Sequence, residues 1–111
     1  MILEVAILDV RRGSEIQFES AFEKASQIIS RMDGYRGHEL QRCVENPSRY
    51  ILLVHWDNLE AHTVGFRQSL EYQEWKSLLH HFYDPFPTVE HYAEIRKFPG
   101  EPRQSGHEPD K

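Results

Sequence analysis

Tyr50-Ile51-Leu52-Leu53-Val54-His55-Trp56 is a run that reads as apolar on both sides of an extended chain. Successive strand side chains point to opposite faces, so Ile51 and Leu53 fall on one face and Leu52, Val54 and Trp56 on the other. Ile2–Val10 repeats the pattern: Leu3, Val5 and Ile7 oppose Ala6 and Leu8, and only Glu4 and Asp9 interrupt the run. Both stretches predict strands covered on two faces. A fold that holds them must supply two covers.

Working outward, Arg11-Arg12-Gly13 ends the first strand, and Ser14-Glu15-Ile16-Gln17 has the form of a capping box. Phe18, Ala21, Phe22, Ala25, Ile28, Ile29 and Met32 then recur at three- and four-residue steps. That spacing predicts an amphipathic helix closing at Asp33-Gly34. Tyr35–Val44 reads as a strand, Glu45-Asn46-Pro47-Ser48 as a turn, and Tyr50–Trp56 as its hairpin partner. Asp57 is the expected N-cap of a short helix with Glu60 three residues on. Ser69 is the expected cap of another, carrying Tyr72, Trp75, Leu78, Leu79 and Phe82 on one face. Asp84-Pro85-Phe86-Pro87 is a break, and Thr88–Phe98 is the last strand. From Pro99 onward the chain lacks an apolar pattern and is expected to be a disordered tail.

The order βαββαβ is the ferredoxin-like, split βαβ arrangement of the α+β class: a four-stranded antiparallel sheet with both helices on one face. Residues 1–98 make the domain and 99–111 the tail. The helices cover one apolar face, and nothing in the chain is left to cover the other. A second copy, sheet against sheet, is the expected cover, so the chain is expected to be a homodimer.

A chain of 111 residues suits one domain, and a net charge of −5 without any Lys/Arg cluster argues against nucleic-acid and membrane partners. Cys43 has no second cysteine to pair with, and the N-terminus lacks a basic leader segment, so the expected location is cytoplasmic.

Few residues carry chemistry on their face. His62 could accept a proton from a phenolic substrate or could be a boundary histidine. Phe22, Phe66, Trp75 and Leu79 read first as core; the alternative is the wall of a cavity for a flat aromatic ligand. His91 alternates with Val89, Ala93 and Ile95, and His55 with Ile51 and Leu53, so each shares an apolar face. Tyr83 and Tyr92 are possible hydroxyl donors. His80-His81 sits at a helix C-terminus, where a cation is favoured. Adjacent histidines point about 100° apart and chelate poorly, so no metal site is expected. Ser14 and Ser69 are occupied as caps, and no glycine-rich phosphate loop is present.

Glu60-Ala61-His62-Thr63-Val64-Gly65-Phe66-Arg67-Gln68-Ser69, followed by Tyr72, Trp75 and Val89-Glu90-His91-Tyr92, resembles the antibiotic biosynthesis monooxygenase (ABM) family. Gly34-Tyr35 and Trp56-Asp57 add to the likeness, which spans roughly residues 1–97. The resemblance implies a dimeric α+β barrel. It further implies a cofactor-free monooxygenase that oxidises a small aromatic or quinol-like substrate, with His62 as base. Phe22, Phe66, Trp75, Leu79, Tyr83 and His91 would then bind the substrate. In that chemistry the deprotonated substrate itself reduces oxygen. The alternative is a non-catalytic homodimer that binds a small molecule or a protein. A haem-degrading activity ranks third, because that branch carries an asparagine on the first strand, Ile2–Val10 has none, and its tryptophan site falls at Phe66.

Overall fold

Strand β1 (Ile2–Asp9) runs antiparallel to both of its neighbours, β3 (Arg49–Trp56) and β4 (Val89–Ala93). With β2 (Tyr35–Arg42) the sheet order is β2-β3-β1-β4. The two apolar strands found in the sequence are therefore the two central ones. Helix α1 (Glu15–Ile29) connects β1 to β2. Between β3 and β4 lie a π-helical turn (Ala61–Phe66), helix α2 (Leu70–Leu79) and a 3₁₀ turn (His80–Phe82). These are the βαββαβ order and the four-stranded antiparallel sheet expected of a ferredoxin-like fold. The computed structural model describes residues 1–102, so most of the expected tail, 103–111, lies outside the described residues. Among the described residues, no helix is long and apolar enough to cross a membrane.

Strand parity decides what each face does. Ala6, Leu8, Leu52, Val54 and Trp56 face the helices and are buried against Phe18, Phe22, Ala25 and Ile29 of α1 and Phe66 and Trp75 beyond β3. Burial of each of the larger aliphatic and phenyl side chains contributes about 1.5–3 kcal/mol, and the rings of Phe18, Phe22 and Tyr50 interlock at the centre.

Several element ends depart from the expectations. Ser14 makes no side-chain cap; Glu15 instead accepts from the Gly13 amide. Helix α1 stops at Ile29 rather than near Met32, because Arg31 and Met32 donate to carbonyls three residues back and tighten the chain into a turn. Asp57 does not cap a helix: it pairs with Arg36, while Asn58 accepts from the Ala61 amide. Strand β4 ends at Ala93 instead of Phe98, since Ala93 pairs with Ile2 and β1 offers no further partner.

The opposite sheet face carries Leu3, Val5, Ile7, Ile51 and Leu53 as a central apolar stripe, with Ile7 41 % exposed. Glu39, Gln41 and Glu90 border it on the outer strands. A second copy laid on this stripe is the expected cover. Sedimentation equilibrium at micromolar concentration should return twice the 13.2 kDa chain mass, and Leu53→Asp should return a single chain mass. A wild-type monomer would contradict this reading.

Candidate functional site

Glu4 shares the parity of Ala6 and Leu8, which turns its carboxyl toward the helices, and it is only 6 % exposed. Burial of an acid requires hydrogen-bonded partners. The Trp56 indole N–H donates to Glu4 Oε1 at 2.9 Å, and His62 Nε2 lies 3.4 Å from the same oxygen. Loss of hydration raises the Glu4 pKa above its usual 4.5. The Trp56 hydrogen bond and the Arg67 charge oppose that rise without cancelling it.

His62 reaches Glu4 because of the π-helical turn. Gly34, at φ +83°, lets the chain pass where a Cβ would stand 2.7 Å from Ala61 Cβ. The Gly34 carbonyl accepts from the Asp57 amide, which anchors the start of the turn. The Arg67 amide then bonds five residues back to the His62 carbonyl, the widened spacing of a π-helix. His62 and Phe66 thus both point at the sheet and are buried. The His62 imidazole lies 22° from parallel to the Trp56 ring at 5.4 Å, and its Nδ1 is 2.7 Å from His91 Nε2. Burial, then the charge of Arg67 and the proximity of His91, push the His62 pKa down to about 3. The ring is therefore neutral at physiological pH. Its contacts to Glu4 and His91 use opposite nitrogens and cannot converge on one ion. Among the described residues, no three His, Cys, Asp or Glu side chains are grouped to hold a metal.

Beside this cluster lies a cavity of about 340 Å³ between sheet and helices. Its sheet side is Glu4, Ala6, Leu8 and Leu52; its helix side is His62, Phe66, Tyr72 and Trp75. The Phe66 ring meets Tyr72 and Trp75 nearly edge-on at 5.2 and 5.6 Å. Tyr83, His80, Phe86 and Val89 also line it, and Arg67 adds the one cationic side chain of the wall. Burial raises the Tyr83 phenol well above its usual range, so it stays a donor. Burial, with Lys76 nearby, lowers the His80 pKa. His80 packs against Phe86 at 4.9 Å and lines the cavity, so it is not the fully solvated helix-end side chain its position in the sequence implied. The volume falls in the range of small-ligand sites.

Of the residues expected to bind substrate, Phe66, Trp75 and Tyr83 line this cavity, as does His62. Phe22 and Leu79 do not: Phe22 stands behind Trp75 at 5.7 Å, and Leu79 is fully buried in the core. His91 stands behind His62 on β4 and is not part of the wall. Glu4, Arg67 and Tyr72 also line the cavity, and none of them stands out in the sequence as a site residue. The available signal for Glu4 was its parity with Ala6 and Leu8.

Because folding raises the Glu4 pKa, the contribution of Glu4 to stability is present below about pH 4.5 and is lost as pH rises through the folded-state value. Glu4→Gln, which keeps an acceptor for Trp56 and cannot ionise, should melt at higher temperature than wild type at pH 8 and at the same temperature near pH 4. Calorimetry at the two pH values measures this, and a destabilised variant at pH 8 would contradict it.

Residues 1–78 match the family model described as antibiotic biosynthesis monooxygenase. YczJ of Bacillus subtilis, an uncharacterized protein, is 55 % identical over 95 residues, which span 86 % of this chain and 100 % of YczJ. A Bordetella bronchiseptica protein named for the same family superposes with a TM-score of 0.82 at 36 % identity, covering 86 % of this chain and 97 % of that one. SnoaB of Streptomyces nogalater, a cofactor-independent oxygenase, superposes with a TM-score of 0.68 at 21 % identity over 89 % of this chain and 97 % of its own, a likeness of fold. By family model, sequence and structure together, the chain belongs to the antibiotic biosynthesis monooxygenase family.

Proposed function

We propose that this protein is a cofactor-independent monooxygenase that oxidises a small aromatic, quinol-like substrate with molecular oxygen. The observation that carries the reading is a buried, ionisable acid, Glu4, on the wall of a largely apolar and aromatic cavity that also holds Arg67. The activity in the name of SnoaB lends support at the level of fold.

Oxidation without a cofactor asks three things of a protein: removal of a proton, stabilisation of the resulting anion, and exclusion of water. Glu4 takes the proton. This departs from the expectation that His62 is the base, because a ring held neutral down to about pH 3, with its Nδ1 bonded to His91, is a poor proton acceptor from substrate. A carboxylate made more basic by burial is better matched to the task. Arg67 and the Tyr83 hydroxyl supply positive charge and a hydrogen-bond donor to the substrate anion, and Phe66, Tyr72 and Trp75 hold its ring. The anion gives electrons to oxygen and forms a carbon–oxygen bond. The peroxide takes back a proton and loses water, leaving a carbonyl: one CH₂ and one O₂ become one C=O and one H₂O.

Purified protein should take up oxygen with anthrone-like or quinol substrates without added metal or flavin. A base must be ionised to act, so the rate should rise with pH through a limb set by Glu4, above the ordinary glutamate range. Glu4→Gln should lower kcat by roughly 10²-fold or more and remove that limb. An unchanged rate in Glu4→Gln would remove Glu4 as the base. No uptake across a broad panel would leave a non-catalytic binding dimer as the better account.

A further inference from the structure

Three titratable side chains from three elements stand in line: Glu4 on β1, His62 on the π-helical turn and His91 on β4. Glu4 Oε1 is 3.4 Å from His62 Nε2, and His62 Nδ1 is 2.7 Å from His91 Nε2. Glu4 lines the cavity, His62 is 3 % exposed, and His91 is half-buried on an edge strand. Glu4 and His91 are also direct partners across the β1–β4 pair. The line begins at the cavity and ends at the rim of the sheet.

We infer that Glu4, His62 and His91 form a proton relay between the cavity and the β4 edge, with the His62 imidazole passing protons from one ring nitrogen to the other. The path rests on this geometry; only its use during turnover rests on the monooxygenase reading. An imidazole suits the task, because a neutral ring carries one donor and one acceptor on opposite sides. Once Glu4 carries the substrate proton, its O–H faces the Nε2 lone pair of His62, whose Nδ1–H donates to His91 Nε2. A substrate proton bonds to the Glu4 carboxylate and moves on to His62 Nε2. The Nδ1 proton of His62 passes to His91 Nε2, and His91 releases its own Nδ1 proton to water. Each link breaks one O–H or N–H bond and forms one, and no electrons are transferred. Protonation of the peroxide runs the line backwards, which restores every tautomer without a ring flip.

The groups around His62 favour passage over storage. Trp56 stacks on the ring, Arg67 adds positive charge, and Glu4 and His91 occupy the two nitrogens. Burial and Arg67 both disfavour an imidazolium, so the ring transmits a proton by taking one as it gives the other. A purely structural hydrogen-bonded chain would satisfy the same buried atoms but would not speed proton exchange.

The test uses the full chain labelled with ¹⁵N-histidine. The exchange rate of the His62 ring N–H with water is measured by NMR in wild type and in His91→Gln, with His91→Asn as a second variant. The relay predicts slowing by about 10-fold or more, with unchanged amide protection in β1 and β4. Equal exchange in wild type and variants, with the strands intact, overturns it. Oxygen uptake separates this from the functional reading. With an active wild type, His91→Gln should lower kcat, leave KM unchanged and recover on addition of free imidazole. Undiminished kcat in the variant overturns the relay and leaves the monooxygenase standing. A wild type that consumes no oxygen overturns the monooxygenase, and the exchange rates still decide the relay.

Discussion

A carboxyl group sits under the helices of this protein, 2.9 Å from an indole nitrogen, and the local architecture answers to it. Glu4 on the helix side of β1 is an unfavourable placement unless its oxygens find donors, since an unsatisfied buried charge costs several kcal/mol. Trp56 can donate because it lies two residues beyond Val54, the direct cross-strand partner of Glu4. His62 arrives from the other side only because the chain after β3 widens into a π-helical turn. Among the described residues, no buried side-chain N or O atom is left without a partner. The acid is tolerated because three elements converge on it, and that convergence makes it a candidate for chemistry rather than a fault in the core.

The two faces of the sheet have different duties. The helix side holds the core, the acid and the cavity. The other side holds an aliphatic stripe, Leu3, Val5, Ile7, Ile51 and Leu53, with no titratable group at its centre. Strand parity keeps the two apart, because a one-residue slip of β1 would send Glu4 to the open face and Leu3 to the helices. Register in the central strands is thus a requirement of the site as much as of stability. Burial favours the neutral acid, so ionising Glu4 costs stability, which is the usual relation between a working site and a core optimised for packing alone.

Much of this was legible in the sequence. Two strands apolar on both sets of side chains, separated by helical periodicity, specify a two-layer α+β sheet with one face left over. The errors have physical sources. Thr88–Phe98 looks extended throughout, but a strand ends where its neighbour ends, and the start of β1 cannot be read from β4 alone. Spacing alone points to Asp57 as a cap, but Asp57 is held by Arg36 and Asn58 accepts from the Ala61 amide instead. A π-helical turn leaves no periodic signature over Ala61–Phe66, so the aim of His62 could not be foreseen. Glu4 was hidden by its surroundings. Where both faces of a strand read as apolar, an acid among them passes for a break in the pattern, although its parity with Ala6 and Leu8 marks it as facing the core.

The central claim is that Glu4 is a buried acid with a raised pKa, held beside a neutral His62. The most direct measurement is a pH titration of the Glu4 side-chain carboxyl by ¹³C NMR, assigned with Glu4→Gln, with the His62 ring nitrogens followed in the same samples. The account predicts that the carboxyl ionises above 4.5 while His62 stays neutral down to about pH 3. A carboxyl that ionises at or below 4.5 beside a protonated His62 near neutral pH would describe an ordinary buried ion pair, and would contradict it.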